Sequence, residues 1–185
     1  MRFFILSLWW MFSCFLLLSQ VLAQQADLKF NPDKDLKIDA DTMELQKREG
    51  LTIFSGNVVL TQGNKLLRAD KMIVHSITLE EREKLKEKVS QQNLIPADAD
   101  RIDVFGKVYA KIDNQFATGD RGLLDRKSNM MILSGIKVIL TDGANIASGC
   151  RLTVHIDTGN ALLESCSLNH TKGRVSIMMT PKSSS

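Results

Sequence analysis

The sequence predicts an all-β fold, an open stack of short antiparallel strands interrupted by one short inserted helix. Three observations carry that reading. Apolar and polar residues alternate, the alternating segments recur at near-regular spacing, and turn-forming residues fall between them. Five segments open on a small residue, usually followed by an acid: Ala40-Asp41-Thr42-Met43-Glu44-Leu45, Ala69-Asp70-Lys71-Met72-Ile73-Val74, Ala99-Asp100-Arg101-Ile102-Asp103-Val104, Gly119-Asp120-Arg121-Gly122-Leu123-Leu124 and Gly149-Cys150-Arg151-Leu152-Thr153-Val154. Their starts lie 29, 30, 20 and 30 residues apart.

Within these segments the fourth and sixth positions are apolar in nine of ten cases, Gly122 being the exception, while the fifth positions are mixed. Side chains alternate faces along a strand, so the pattern describes a half-buried strand with one face inward. A second unit recurs between them: Gly56-Asn57-Val58-Val59-Leu60-Thr61, Gly106-Lys107-Val108-Tyr109-Ala110 and Gly135-Ile136-Lys137-Val138-Ile139-Leu140-Thr141. Turn signals stand at Gln62-Gly63-Asn64, Asp113-Asn114, Asp142-Gly143 and Asp157-Thr158-Gly159-Asn160. The result is a stack of antiparallel hairpins around one continuous apolar interior. Alternation places Met43, Leu45, Met72, Val74, Ile102, Val104, Leu124, Leu152 and Val154 on the inward face of the first unit. Val58, Leu60, Val108, Val138 and Leu140 join them from the second, with Leu36 and Ile38 at the first end and Glu44, Asp103 and Thr153 pointing away.

Ahead of this domain, Arg2 precedes a nearly unbroken apolar run from Phe3 to Leu18, and Val21-Leu22-Ala23 supplies a small-residue cleavage pattern. Residues 1–23 therefore read as a signal peptide cleaved before Gln24, which leaves a domain over 24–185 with its core at about 34–179. The run is almost long enough to span a membrane, so an uncleaved anchor is the alternative; either way the domain lies outside the cytoplasm. The stretch 77–96 breaks the strand pattern. Thr78 with Glu81 forms a capping box, Glu80 and Lys84 are an i,i+4 pair, and Leu85 and Val89 share a face, so a short charged helix is expected there. The polar tail 180–185 is expected to be flexible.

Composition narrows the function. Lys and Arg number 24 against 21 for Asp and Glu, and without Arg2 the balance after residue 23 is 23 against 21. That near-neutrality excludes the concentrated basic face that nucleic-acid binding uses. Catalysis has no support either. His75 and His155 occupy equivalent repeat positions, His170 lies alone, and neither a Gly-x-Ser-x-Gly elbow nor a His-Glu-x-x-His helix is present. Cys150 and Cys166 lack C-x-x-C spacing, so neither a metal site nor a cofactor is expected. The two cysteines are instead candidates for a cross-strand disulfide. A three-residue loop Asp157-Thr158-Gly159 sets them directly opposite, whereas a four-residue loop through Asn160 moves them out of register. Lys37, Lys65, Arg68 and Lys71 near strand ends fit either ordinary surface charge or contacts to phosphate.

Asp35-Leu36-Lys37-Ile38-Asp39-Ala40-Asp41, then Phe54-Ser55-Gly56-Asn57-Val58-Val59-Leu60-Thr61-Gln62-Gly63 and Leu67-Arg68-Ala69-Asp70-Lys71, resemble the OstA-like repeat of the LptA family. Ala117-Thr118-Gly119-Asp120-Arg121 with Leu133-Ser134-Gly135 and Val138-Ile139-Leu140-Thr141 resemble it again, and the likeness covers about residues 34–165. Two departures stand out: the long insertion around 77–98, and Cys150 where the repeat has an acid or polar residue. The resemblance implies a periplasmic β-jellyroll, V-shaped, whose inward residues bind the acyl chains of lipopolysaccharide. It also implies an inner-membrane LptC-like partner, an outer-membrane LptD-like partner and head-to-tail self-association through edge strands. The competing readings are a membrane-anchored LptC-like relative and a periplasmic β-scaffold or adaptor that binds no lipid.

Overall fold

A computed structural model describes residues 34–76, 78, 99–168 and 171–181. The expected signal peptide, His170 and, apart from Thr78, the expected helix at 77–96 lie outside the described residues. The described residues are all-β. Twelve strands follow in order: β1 (Lys37–Asp39), β2 (Thr42–Gln46), β3 (Leu51–Gln62), β4 (Lys65–His75), β5 (Arg101–Ile112), β6 (Gln115–Asp125), β7 (Met130–Asp142), β8 (Asn145–His155), β9 (Ala161–Glu164), β10 (Ser167–Leu168), β11 (Thr171–Lys172) and β12 (Ser176–Met178). Ten form one antiparallel sheet in the order β1-β3-β4-β5-β6-β7-β8-β12, with β2 also on β3 and β9 also on β8; β10 and β11 form a separate hairpin.

The six long strands each combine two short ones, because each is bent in the middle. Register shifts between Ser55 and Val58 in β3, between Phe105 and Val108 in β5, and between Ser134 and Val138 in β7. The surplus residues always belong to the glycine unit. Gly56-Asn57 and Gly106-Lys107 take positive φ at both positions, +78° and 46°, then +74° and 46°, which bends a strand sharply. Opposite each bulge stands the acid of the first unit. Asp41 packs against Gly56, Asp70 against Gly106 and Asp120 against Gly135, so a crease crosses the sheet and folds it into two facing halves.

This geometry corrects the repeat. Asp41, Asp70, Asp120 and Cys150 occupy the crease, but Asp100 does not; it lies at the strand end, where its N–H donates to the His75 carbonyl at 2.9 Å. The spacing along the crease is thus 29, 50 and 30 residues, the long interval carrying the insertion between β4 and β5. The offset of 80 between His75 and His155 is the sum of the last two intervals, and equals that between Asp70 and Cys150.

Turn chemistry differs at the two ends of the strands. Beyond one half, two-residue turns join Gln62 to Lys65, Ile112 to Gln115 and Asp142 to Asn145, each with a left-handed first residue: Gly63, Asp113 and Gly143. Beyond the other half, four-residue loops join Gln46 to Leu51, Asp125 to Met130 and His155 to Asn160, each ending on a left-handed Gly50, Asn129 or Gly159. Where the polar tail begins, Thr180 Oγ1 donates to the Ala144 carbonyl at 3.2 Å; residues 182–185 lie outside the described residues.

Candidate functional site

Folding at the crease turns the inward faces of the two halves toward each other. Pairing carries one inward row across the first half through Met43, Phe54, Met72, Val104, Gly122, Leu133, Leu152 and Leu163. The matching row of the second half runs through Ile38, Leu60, Leu67, Ala110, Ala117, Leu140, Ala147 and Ile177. A single apolar cluster draws on both halves. Between them lies a cleft of about 100 Å³, partly open to solvent, bordered by Lys65 and Ile112 toward one set of strand ends and by Ile102, Leu124 and Met131 toward the other.

The structure brings most of the inward residues read from the sequence into this interior. Val58, Leu60, Met72, Val74, Val104, Val108, Val138, Leu152 and Val154 are buried; Ile38, Ile102 and Leu140 pack against them half-buried, and Leu124 lines the cleft. Met43 and Leu45 face inward opposite Phe54 and Thr52 yet stay 47% and 43% exposed, because β2 ends the sheet; Leu36 precedes β1 and is 37% exposed. Phe54 and Leu133, both buried, escaped the pattern. They stand two residues before a bend glycine, as Val104 does, and that spacing is the signal that identifies them.

On the outer face, alternation holds for Asp103 and Thr153, but both are buried. Asp103 is engaged on two sides: Arg101 Nε and Nη2 each donate to it at 2.8 Å, and His75 Nε2 lies 2.9 Å from Oδ2. The Asp103 carboxylate raises the Arg101 pKa above its ordinary value. This is an ion-pair cluster on the outer surface of the fold. Among the described residues no group of three or more His, Cys, Asp or Glu is placed to hold a metal ion.

Cys150 takes the crease position of an acid, and a disulfide joins it to Cys166 with the Cα atoms 4.9 Å apart. The reason differs from either loop considered from the sequence. Residues 156–159 form the loop, Arg151 pairs with Glu164, and strict register would set Cys150 against residue 165. Strand β9 ends at Glu164, so the chain is free of that register when it delivers Cys166 to the crease.

Comparison with known proteins agrees with this architecture. The family model described as "LptA/(LptD N-terminal domain) LPS transport protein" matches residues 37–160. An uncharacterized protein of Rhizobium meliloti (strain 1021) is 35% identical over 173 residues, 91% of this chain and 86% of that protein. An uncharacterized protein in the 5′ region of an rpoN-linked probable transport protein of Rhizobium etli is 57% identical over 49 residues, 26% of this chain and 82% of that one. Among solved structures, LptH, described as the LptA homologous periplasmic component of the lipopolysaccharide transport device of Pseudomonas aeruginosa, has a TM-score of 0.60. That match covers 80% of this chain and 96% of LptH at 14% identity, a likeness of fold. By its sequence and its creased antiparallel sheet, the chain belongs to the family of LptA and LptD N-terminal-domain lipopolysaccharide transport proteins.

Proposed function

We propose that this chain is a periplasmic lipopolysaccharide carrier that shields lipid A acyl chains between the halves of its sheet. The observation that carries the reading is the continuity of the apolar interior, which reaches both ends of the sheet and stays exposed there. Met43 and Leu45 mark one end; Ile177, 60% exposed on β12, marks the other. A closed sandwich gains nothing by leaving such residues in water, whereas stacked carriers join their clefts into one path. Burial of acyl chains contributes roughly 0.8 kcal/mol per methylene, so a multi-chain lipid binds without specific polar contacts. The description of LptH as a periplasmic component supports the compartment. In this reading residues 1–23 are the cleaved export signal, an LptC-like protein loads the chain at the inner membrane, and an LptD-like protein unloads it at the outer membrane. Neither a cofactor nor nucleic acid has a part in it.

Photocrosslinking in intact cells tests the proposal. Groups at Ile38, Leu60, Val104 and Leu140 should capture lipopolysaccharide, while controls at Glu44 and Arg68 stay silent. Asp103 is unsuitable as a control because it is buried. Equal labelling at all positions, or none in folded protein, defeats the carrier reading. N-terminal sequencing of a periplasmic extract should begin at Gln24; protein held in the membrane with Arg2 intact assigns the chain to the anchored, LptC-like kind.

A further inference from the structure

Folding at the crease gives the protein two outer faces, and their chemistry differs. On the first half the outward rows include the acids Glu44, Asp103 and Glu164. On the second half, alternation against the inward row through Leu60, Ala110 and Leu140 turns two other rows outward. One crosses from Lys111 through Phe116 and Ile146 to Met178; in the other, Arg68 pairs with Tyr109. Among the described residues of these two rows the single acid is Asp39, held by Lys37 at 2.8 Å, while Asp113 stands beyond them in its turn. The Arg68 and Lys111 side chains are exposed and have no ion-pair or hydrogen-bond partner among the described residues.

Between these two cations Tyr109 and Phe116 stack, half-buried, with their rings 5.8 Å apart. Along the same row Ile146 and Met178 face each other across β8 and β12, 42% and 66% exposed. Aromatic rings and aliphatic side chains flanked by unengaged cations match, in reverse, the surface of an anionic bilayer, where negative headgroups overlie hydrocarbon. Long methylene stems let Arg68 and Lys111 meet headgroups while their neighbours sit deeper. From β4 to β12 the face is about 24 Å across at the spacing of paired strands, broad enough to rest on a membrane. We propose that the outer face of the second half docks on an anionic phospholipid bilayer through Arg68, Lys111, Tyr109, Phe116, Ile146 and Met178. Docking holds the cleft, on the other side of the same half-sheet, alongside the membrane. It goes beyond the carrier reading and does not depend on what the cleft holds.

The chain beginning at Gln24 carries its own reporter. Trp9 and Trp10, the two tryptophans, precede that point and Tyr109 is the one tyrosine, so intrinsic tyrosine emission arises from the proposed face. Vesicles of phosphatidylcholine alone, and of phosphatidylcholine mixed equally with phosphatidylglycerol, serve as probes, each with and without bromine-substituted acyl chains. The protein should sediment with the mixed vesicles about tenfold more strongly than with the neutral ones, since each cation near an anionic surface contributes about fivefold. That preference should fade in high salt, and the brominated mixed vesicles should quench Tyr109. R68Q/K111Q should lose the preference, and I146Q/M178Q, a change at two exposed positions, should weaken binding to the mixed vesicles. K71Q/R121Q, the same charge change on the outer face of the first half, should bind like the wild type. Sedimentation with neither vesicle, equal sedimentation with both, binding without quenching of Tyr109, or equal losses in the two charge variants overturns the docking. Each of those outcomes leaves the carrier reading standing, because capture of lipopolysaccharide at the inward positions tests it separately.

Discussion

Asp120 Oδ2 accepts the Ile136 backbone N–H at 2.7 Å, so the acid of one strand holds the bulge of the next. At the first end of the crease the backbone tie runs the other way: the Asp41 N–H donates to the Gly56 carbonyl at 2.9 Å, while Asp41 Oδ2 accepts from the Asn57 side-chain amide at 3.0 Å. A bulge leaves backbone groups without ladder partners; here Asp120 supplies an acceptor to one such N–H, and the Asp41 N–H a donor to one such carbonyl. Asp41 and Asp120 are therefore clasps of the fold. At the far end the disulfide takes over that position.

The clasp makes the bend glycines unequal to the turn glycines. A Cβ on Gly56 would collide with the Asp41 side chain, and one on Gly106 with Asp70; at Gly143, whose φ of +58° is similar, it would meet nothing within 4 Å. Gly143→Ala should cost about 1 kcal/mol, the conformational penalty alone. Gly56→Ala and Gly106→Ala should cost about 2–3 kcal/mol, adding steric displacement of the clasp. Urea unfolding of the three variants measures the difference, and equal losses would show that the acid–glycine contact contributes nothing.

Gly122 breaks the apolar pattern for a reason of volume. It lies between Val104 and Leu133 in an inward row, and a Cβ there would sit 2.5 Å from Val104 Cγ2. Gly122→Val should destabilise by about 1–3 kcal/mol through overpacking. Combining it with Val104→Ala should recover part of that loss. A double variant no more stable than Gly122→Val alone would place the strain elsewhere.

How far the sequence discloses this protein follows from which forces are local. Alternation depends on single residues, so inward positions such as Met72, Val74 and Val138 are legible directly. The turns at Gly63, Gly143 and Gly159 are legible because glycine signals a left-handed backbone. The loop ending at Asn129 is hidden, since Arg126-Lys127-Ser128-Asn129 looks like ordinary charged surface. The crease also escapes, because it arises from contacts between residues 15 to 36 positions apart, such as Asp41 with Gly56 and Asp70 with Gly106. Without the crease, Asp100 resembles a repeat member. The exposure of Met43 and Leu45 depends on where the sheet stops, which no local pattern encodes.

That hidden loop gives a pH prediction. Asp125 Oδ1 accepts the N–H groups of Lys127 at 2.9 Å and Ser128 at 3.2 Å. Its pKa lies below the ordinary value, chiefly through the Ser128 N–H. A depressed folded-state pKa stabilises the protein above the unfolded value of about 3.9, and the contribution fades as pH falls through the lower folded value. Asp125→Ala should thus be less stable than the wild type at neutral pH, with the gap closing in acid. Thermal melts from pH 7 to pH 2 check it, and a gap that widens toward low pH contradicts the assignment.

The disulfide closes a loop with a sequence separation of 16, for which chain entropy gives roughly 3 kcal/mol of stabilisation. The Cys150→Ser/Cys166→Ser double variant should lose about that much in urea unfolding. Thiol titration of the unfolded, unreduced chain beginning at Gln24 should find no free thiol; two would exclude the bond.

Self-association follows from the carrier reading, in which stacked copies join their clefts. The sheet order ends on β1 and β2 at one side and on β9 and β12 at the other, and such terminal strands present unpaired backbone groups. Apolar side chains accompany both edges: Met43 and Leu45 at the first, Ile177 and Leu162 at the second, each at least 43% exposed. The two edges differ in residues, so the contact is heterologous and extends into open filaments rather than closing as a symmetric dimer. Light scattering over a concentration series should show mass rising stepwise, and a strict monomer up to millimolar concentration would defeat the idea. Two variants then separate head-to-tail stacking from other association. Ile177→Lys should block the second edge and Met43→Lys/Leu45→Lys the first, so each alone stays monomeric. Mixed, they retain one intact edge apiece and should form a 1:1 dimer that grows no further. Continued growth of the mixture, or its failure to pair while the wild type polymerises, would place the contact on another surface.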